Sequence, residues 1–126
     1  MKEKSQHRPY PGRAFIFDMD GTLVDNMKYH SKAWLALFQR LGIHLKADEF
    51  LRRTAGKTNS EILYNILGKN LTEYEIQELS DQKETFYREL YRPHLKAIQG
   101  LISFLSKAVE LGIPMAVATA AGQKNI

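Results

Sequence analysis

The stretch FIFDMDGTLVD, residues 15–25, sets two carboxylates, Asp18 and Asp20, directly after an apolar, aromatic-rich run and follows them with Gly21 and Thr22. Residues 14–18 read as a short buried strand, because β-favouring aromatics fill it and Gly21 closes it. The acids then sit at the strand's C-terminal tip. Residues two apart on an extended strand point to the same side, so Asp18 and Asp20 are expected to face one small site. Taken alone, a D-x-D-G segment is better explained as a strand followed by an ordinary turn, since Asp and Gly are turn formers. The longer pattern argues against that reading: four apolar residues, D-x-D-G-T-L-x-D, a helix, and far downstream a second apolar strand ending in Thr119.

Outward from this stretch the apolar spacing changes period. Ala33, Trp34, Leu37, Phe38 and Leu41 recur three and four apart and predict a helix over 27–41 that stops at Gly42. Residues 47–91 read as helical throughout, with no strand signal. Phe50 and Leu51 mark a first segment; Ile62, Leu63, Ile66 and Leu67 follow a Thr58-Asn59-Ser60 start; Leu79, Phe86 and Leu90 follow a capping-box opening at Thr72-Glu73-Tyr74-Glu75. Pro93 breaks the block. A further helix is predicted over 99–111, with Leu101, Phe104, Leu105, Ala108 and Leu111 on one face and Gly112 as its stop, and IPMAVAT, residues 113–119, reads as a second strand. Strands joined through helices are parallel neighbours with a right-handed crossover. Ligands bind outside the carboxyl ends of such strands, and Asp18, Asp20 and Thr119 would all stand on that edge.

With 126 residues, 44% apolar and 25% charged, the chain has the composition of a folded globular protein. The net charge of +4 comes from basic residues scattered among acids, which argues against a nucleic-acid partner and suits attraction of phosphorylated metabolites. No cysteine is present, so disulfide and thiol chemistry are excluded. No apolar run approaches the roughly 20 residues that span a bilayer. The polar start MKEKSQHRPYPG lacks the apolar core of a signal peptide, so the expectation is a loose N-terminal tail on a cytoplasmic protein without a membrane partner.

Two carboxylates at short range repel each other and need a cation or a shared proton. Magnesium answers that need, because it takes one or two carboxylates together with phosphate oxygens and water. Asp18 and Asp20 are the candidate ligands. One carboxylate can then attack phosphorus to give an aspartyl-phosphate, while the other protonates the leaving oxygen and activates the attacking group, a task that typically contributes about 10²–10⁴-fold. Gly21 permits close backbone approach to a phosphate. The amides beyond Gly21, from Thr22 onward, are candidate donors to its oxygens, as is the Thr119 hydroxyl beside Ala120.

DMDGTLVD, residues 18–25, resembles the first signature of the haloacid dehalogenase superfamily, and AVAT, residues 116–119, resembles the second. The resemblance covers nearly all of the chain. It implies an α/β fold with a Rossmann-like parallel sheet core, incomplete here, over 1–26 and 94–126, and an inserted α-helical cap over 27–93. It also implies magnesium-dependent phosphoryl transfer, with Asp18 as nucleophile, Asp20 as acid/base and metal ligand, and Thr119 as a phosphate-binding hydroxyl. A dehalogenase is disfavoured, since a paired acid/base is what phosphoryl transfer needs. The superfamily further uses a Lys after a third strand and an acidic pair after a fourth. Neither follows Thr119 here, and Lys124 lies too close to it to be that Lys, so the expectation is a piece of a protein about twice as long, with little activity by itself and a tendency to self-associate through exposed apolar faces.

DNMKYHSKAWLALFQRLGI, residues 25–43, is similar to the corresponding stretch of β-phosphoglucomutases and related phosphatases. His30 is there either a residue linking substrate binding to closure or a partly buried helix residue, and Trp34 reads as core. TAGKTNSEIL, residues 54–63, resembles the mutase's specificity loop around Gly56. Asn59 stands where the mutase carries an Arg that grips the sugar's distal phosphate. Lys57, Arg52 or Arg53 could replace that charge, or could be solvated cations at a helix end. The departure at Asn59 favours a phosphatase of small phosphorylated sugars or metabolites over a mutase. The competing reading from another class is a non-catalytic interaction module.

Overall fold

The computed structural model describes residues 12–126, so the expected N-terminal tail over 1–11 lies outside the described residues. In chain order the elements are β1 (Phe15–Phe17), α1 (Met27–Arg40), α2 (Ala47–Thr54), α3 (Asn59–Leu67), α4 (Glu73–Tyr91), α5 (Leu101–Glu110) and β2 (Met115–Val117), with 3₁₀ turns at Arg92–His94 and Gln123–Asn125. The architecture is α/β. It divides into two compact units: one takes the chain up to Asp25 together with Leu95–Lys124 and Ile126, the other takes Asn26–His94 and Asn125.

In the first unit β1 and β2 form a parallel two-stranded sheet in which Phe15, Ile16 and Phe17 face Met115, Ala116 and Val117. Both strands are shorter than the sequence predicts, because ladder pairing ends where Asp18 and Thr119 turn away into loops. Phe15 and Phe17 point to one face, where each packs its ring on Phe104 of α5 at 5.3 and 6.1 Å between centroids. Such aromatic contacts add to the stabilisation from burial alone. Ile16, on the opposite face, is 74% exposed, and its register partner Ala116 is also exposed.

The second unit is helical. The block predicted as helical throughout is three helices, because Ala55–Lys57 turn through Gly56 at φ +72° and Gly68 at φ +96° ends α3. Its core is built from Trp34, Leu37 and Phe38 of α1, Phe50 of α2 and Ile62 and Leu63 of α3. Trp34 is therefore core, stacked on Phe38 at 5.5 Å. On α4 Leu79 and Phe86 pack, partly buried, against that core, the most buried line is Ser80, Lys83, Tyr87 and Tyr91, and Leu90 is exposed. Two of its polar residues bond to groups outside the stripe, Lys83 to His30 and Glu84 and Tyr87 to Asn26.

Candidate active site

The register that pairs Phe17 with Val117 brings the two strand ends together, and the Ala118 amide donates to the Phe17 carbonyl at 2.8 Å. Asp18 and Thr119 consequently leave the sheet from adjacent positions on one edge. Asp18 is exposed, and its Oδ1 accepts the Met19 amide at 2.8 Å, which fixes the side chain as the strand ends. The chain then folds into a compact loop: the Met19 carbonyl accepts the amides of Thr22, Leu23 and Val24, and Gly21, at φ +70°, donates its amide to the Val24 carbonyl at 2.9 Å. A side chain at position 21 would be strained at that φ. Asp20 bridges to Val24, and Val24 in turn bridges to Ala97, so the loop is tied down on both sides.

The amides of Gly21 and Thr22 are both engaged in closing the turn, so the Thr22 amide, expected to donate to a phosphate, here donates to the Met19 carbonyl. The Thr119 hydroxyl accepts the Ala121 amide at 3.0 Å. An oxygen that accepts a hydrogen bond still carries its own hydrogen to donate. Ala120 follows on the same edge and is exposed. Among the described residues no group of three or more His, Cys, Asp or Glu side chains is arranged to hold a metal. The hard oxygen donors that this edge offers are the carboxylates of Asp18 and Asp20.

In the helical unit the remaining predicted residues fall into two places. Gly56 and Lys57 lie in the exposed α2–α3 turn. Arg52 and Arg53 are paired to acids one turn back, Arg52 to Asp48 at 3.1 Å and Arg53 to Glu49 at 3.4 Å, with Arg53 also donating to Asn65. Both stand in the last turn of α2. His30 and Asn59 instead join a polar cluster. The His30 ring lies flat on Tyr87 at 3.8 Å, and its Nδ1 is 2.8 Å from Lys83 Nζ. A Lys83 ammonium can only donate, so Nδ1 is the acceptor of that contact. Lys83, 3% exposed, also donates to Glu84 Oε1 at 2.7 Å. Glu84 accepts from Asn59 Nδ2 at 3.2 Å and from Asn125 Nδ2 at 2.7 Å. The buried Asn26 donates to Tyr87 Oη at 2.7 Å.

Lys83, Glu84, Tyr87 and Asn26 have no counterpart in the motif reading. A signal existed. Lys83 falls four before Tyr87 and three after Ser80 on α4, and a Lys at a buried helical position calls for a partner.

The sequence profile of the haloacid dehalogenase-like hydrolases matches residues 15–126. This chain belongs to that family. Among curated relatives of the hydrolase it is 34% identical to 6-phosphogluconate phosphatase of Escherichia coli, over 74% of this chain and 42% of that protein, and 26% identical to protein CbbY of Rhodobacter capsulatus, over 90% and 53%. Among solved structures it superposes on a family IA hydrolase of Entamoeba histolytica with TM-score 0.82 and 28% identity, covering 90% of this chain and 51% of that one. It superposes on a β-phosphoglucomutase of Clostridium difficile with TM-score 0.72 and 27% identity, covering 86% and 52%. The hydrolase chain thus spans about half the length of the relatives it matches. No helix among its described residues is long and apolar enough to cross a membrane.

Proposed function

We propose that this chain carries the phosphate-handling edge and the substrate-reading helices of a magnesium-dependent phosphatase acting on small phosphorylated sugars or related metabolites in the cytoplasm. The observation that carries the reading is the shared strand edge, where Asp18, Asp20 and Thr119 leave one parallel pair of strands. In this reading the Asp18 carboxylate attacks phosphorus and the phosphoryl group passes to it as the substrate's oxygen leaves. Asp20 gives that oxygen its proton, then takes a proton from the water that hydrolyses the aspartyl-phosphate. The Thr119 hydroxyl donates to a phosphoryl oxygen. Asp18 and Asp20 would hold the magnesium ion, whose contribution is to offset the charge shared by carboxylates and phosphate.

The helical unit is read as a cap whose side chains select the substrate. The paired state of Arg52 and Arg53 favours the phosphatase over the mutase, since neither offers an uncommitted cation to a second phosphate. The test is phosphate release from a panel of sugar phosphates, with and without magnesium. Slow, magnesium-dependent release is expected, falling to background in Asp18→Asn and by about 10²–10⁴-fold in Asp20→Asn. Release that survives Asp18→Asn, or that ignores magnesium, would remove Asp18 from its role.

A further inference from the structure

We infer that the groove lined by the outer stripe of α4 and by Arg40 at the end of α1 binds a small zwitterion, an α-amino acid with an aromatic side chain. Tyr74, Glu78, Asp81 and Thr85 recur four, three and four apart, so they share one face of α4. Together with Arg40, the last residue of α1, and the half-buried Phe86 they line a groove of about 420 Å³. That volume falls within the range of small-molecule sites. The groove shares no residue with the strand edge of Asp18, Asp20 and Thr119 or with the polar cluster around Lys83 and Glu84, so the inference does not depend on the phosphatase reading.

The charges on the walls select the ligand. Arg40 lines the groove with two carboxylates, yet it forms no ion pair among the described residues. Each carboxylate is half engaged: Gln77 Nε2 donates to Asp81 Oδ1 at 3.0 Å, and Gln82 Nε2 donates to Glu78 Oε1 at 3.5 Å. Their second oxygens accept nothing from the described residues. The groove therefore offers acceptors from α4 and one planar guanidinium fork from α1. A simple anion would meet the two acids there, and a simple cation would meet Arg40. A zwitterion satisfies both, its carboxylate on the guanidinium and its ammonium on the acids. Tyr74, 76% exposed although aromatic, and Phe86 supply rings against which an aromatic side chain can pack.

The probe is L-phenylalanine, compared with 3-phenylpropanoate, which lacks the ammonium, and phenethylamine, which lacks the carboxylate. Each is titrated into the 126-residue chain, and binding is followed by the backbone amide resonances in nuclear magnetic resonance spectra. The same titrations are run on Arg40→Gln and on the double variant Glu78→Gln, Asp81→Asn. Phenylalanine should bind with a dissociation constant of about 1 mM, with shifts concentrated at Arg40 and residues 74–86, and each half-ligand should bind at least about tenfold more weakly. Arg40→Gln should weaken phenylalanine about tenfold and leave phenethylamine unaffected, whereas the double variant should weaken phenylalanine to the same extent and leave 3-phenylpropanoate unaffected. Arg40, Glu78 and Asp81 are exposed, so both variants should keep the native spread of amide resonances, which separates loss of binding from loss of fold. No binding of phenylalanine up to about 20 mM, a half-ligand as tight as phenylalanine, shifts centred outside the groove, or an affinity unchanged in Arg40→Gln would overturn the inference.

Discussion

At Glu84 burial and hydrogen bonding pull in opposite directions. Burial raises the carboxyl's pKa, but the Lys83 ammonium and the amides of Asn125 and Asn59 outweigh it, so the group is held below the usual glutamate value. A carboxyl whose folded pKa is depressed adds stability above its unfolded pKa and loses it as pH falls through the folded value. Glu84 should therefore stabilise the helical unit at neutral pH and cease to do so on acidification below the ordinary glutamate range. The check is the urea midpoint as a function of pH: the native chain should lose more stability on acidification than Glu84→Gln, and parallel curves would contradict the assignment. Asp18 and Thr119 were legible as residues because their types, spacing and strand context carry chemistry. Glu84 was not. Its importance comes from Lys83 beside it, Asn59 on α3 and Asn125 near the far end of the chain, partners that no local pattern connects.

Helix α3 shows what a local pattern does decide. Thr58 accepts the Glu61 amide, and the Glu61 carboxylate accepts the Thr58 amide and hydroxyl, which together satisfy donors that a helix start leaves open. The same reciprocal box forms at Thr72 and Glu75. The T-x-x-E spacing is as readable at Thr58 as at Thr72, so the second box was available to inspection. Removing it with Thr58→Ala should cost about 1 kcal/mol and lower the melting temperature of the helical unit by roughly 4–8 °C. Circular dichroism at 222 nm would register the shift, and an unchanged melting curve would show that the box is dispensable. Helix α4 marks the limit of such inspection. Its apolar residues Leu79 and Phe86 do pack on the core, but α1 also meets Lys83, Tyr87 and Tyr91, through the His30 contacts to Lys83 and Tyr87 and the Tyr29 ring on Tyr91, pairings that no apolar spacing reveals.

Over the whole molecule the two units differ in how well they cover their apolar groups. The helical unit encloses Leu37, Phe38 and Leu63 completely. The sheet unit leaves Ile16, Ile102, Val109 and Val117 each more than half exposed. Exposed apolar area of that kind favours association, so sedimentation of the native chain should shift to heavier species with rising concentration, and Ile16→Lys should weaken the shift. A chain that remains monomeric across the range would show that these residues are harmless. What the sequence by itself determined here is what depends on neighbours along the chain: strand β1 and its acids, the helix starts, the glycine turns, and the parallel arrangement that follows from strand, helices, strand. Tertiary structure alone decided where long-range pairing directs each polar group. It turned the Gly21 and Thr22 amides inward to close the loop, and it buried Lys83. It also aimed the Asn59 amide by setting a carboxylate against it, because hydrogen-bond direction is fixed by the partner, and the partner lies 25 residues away.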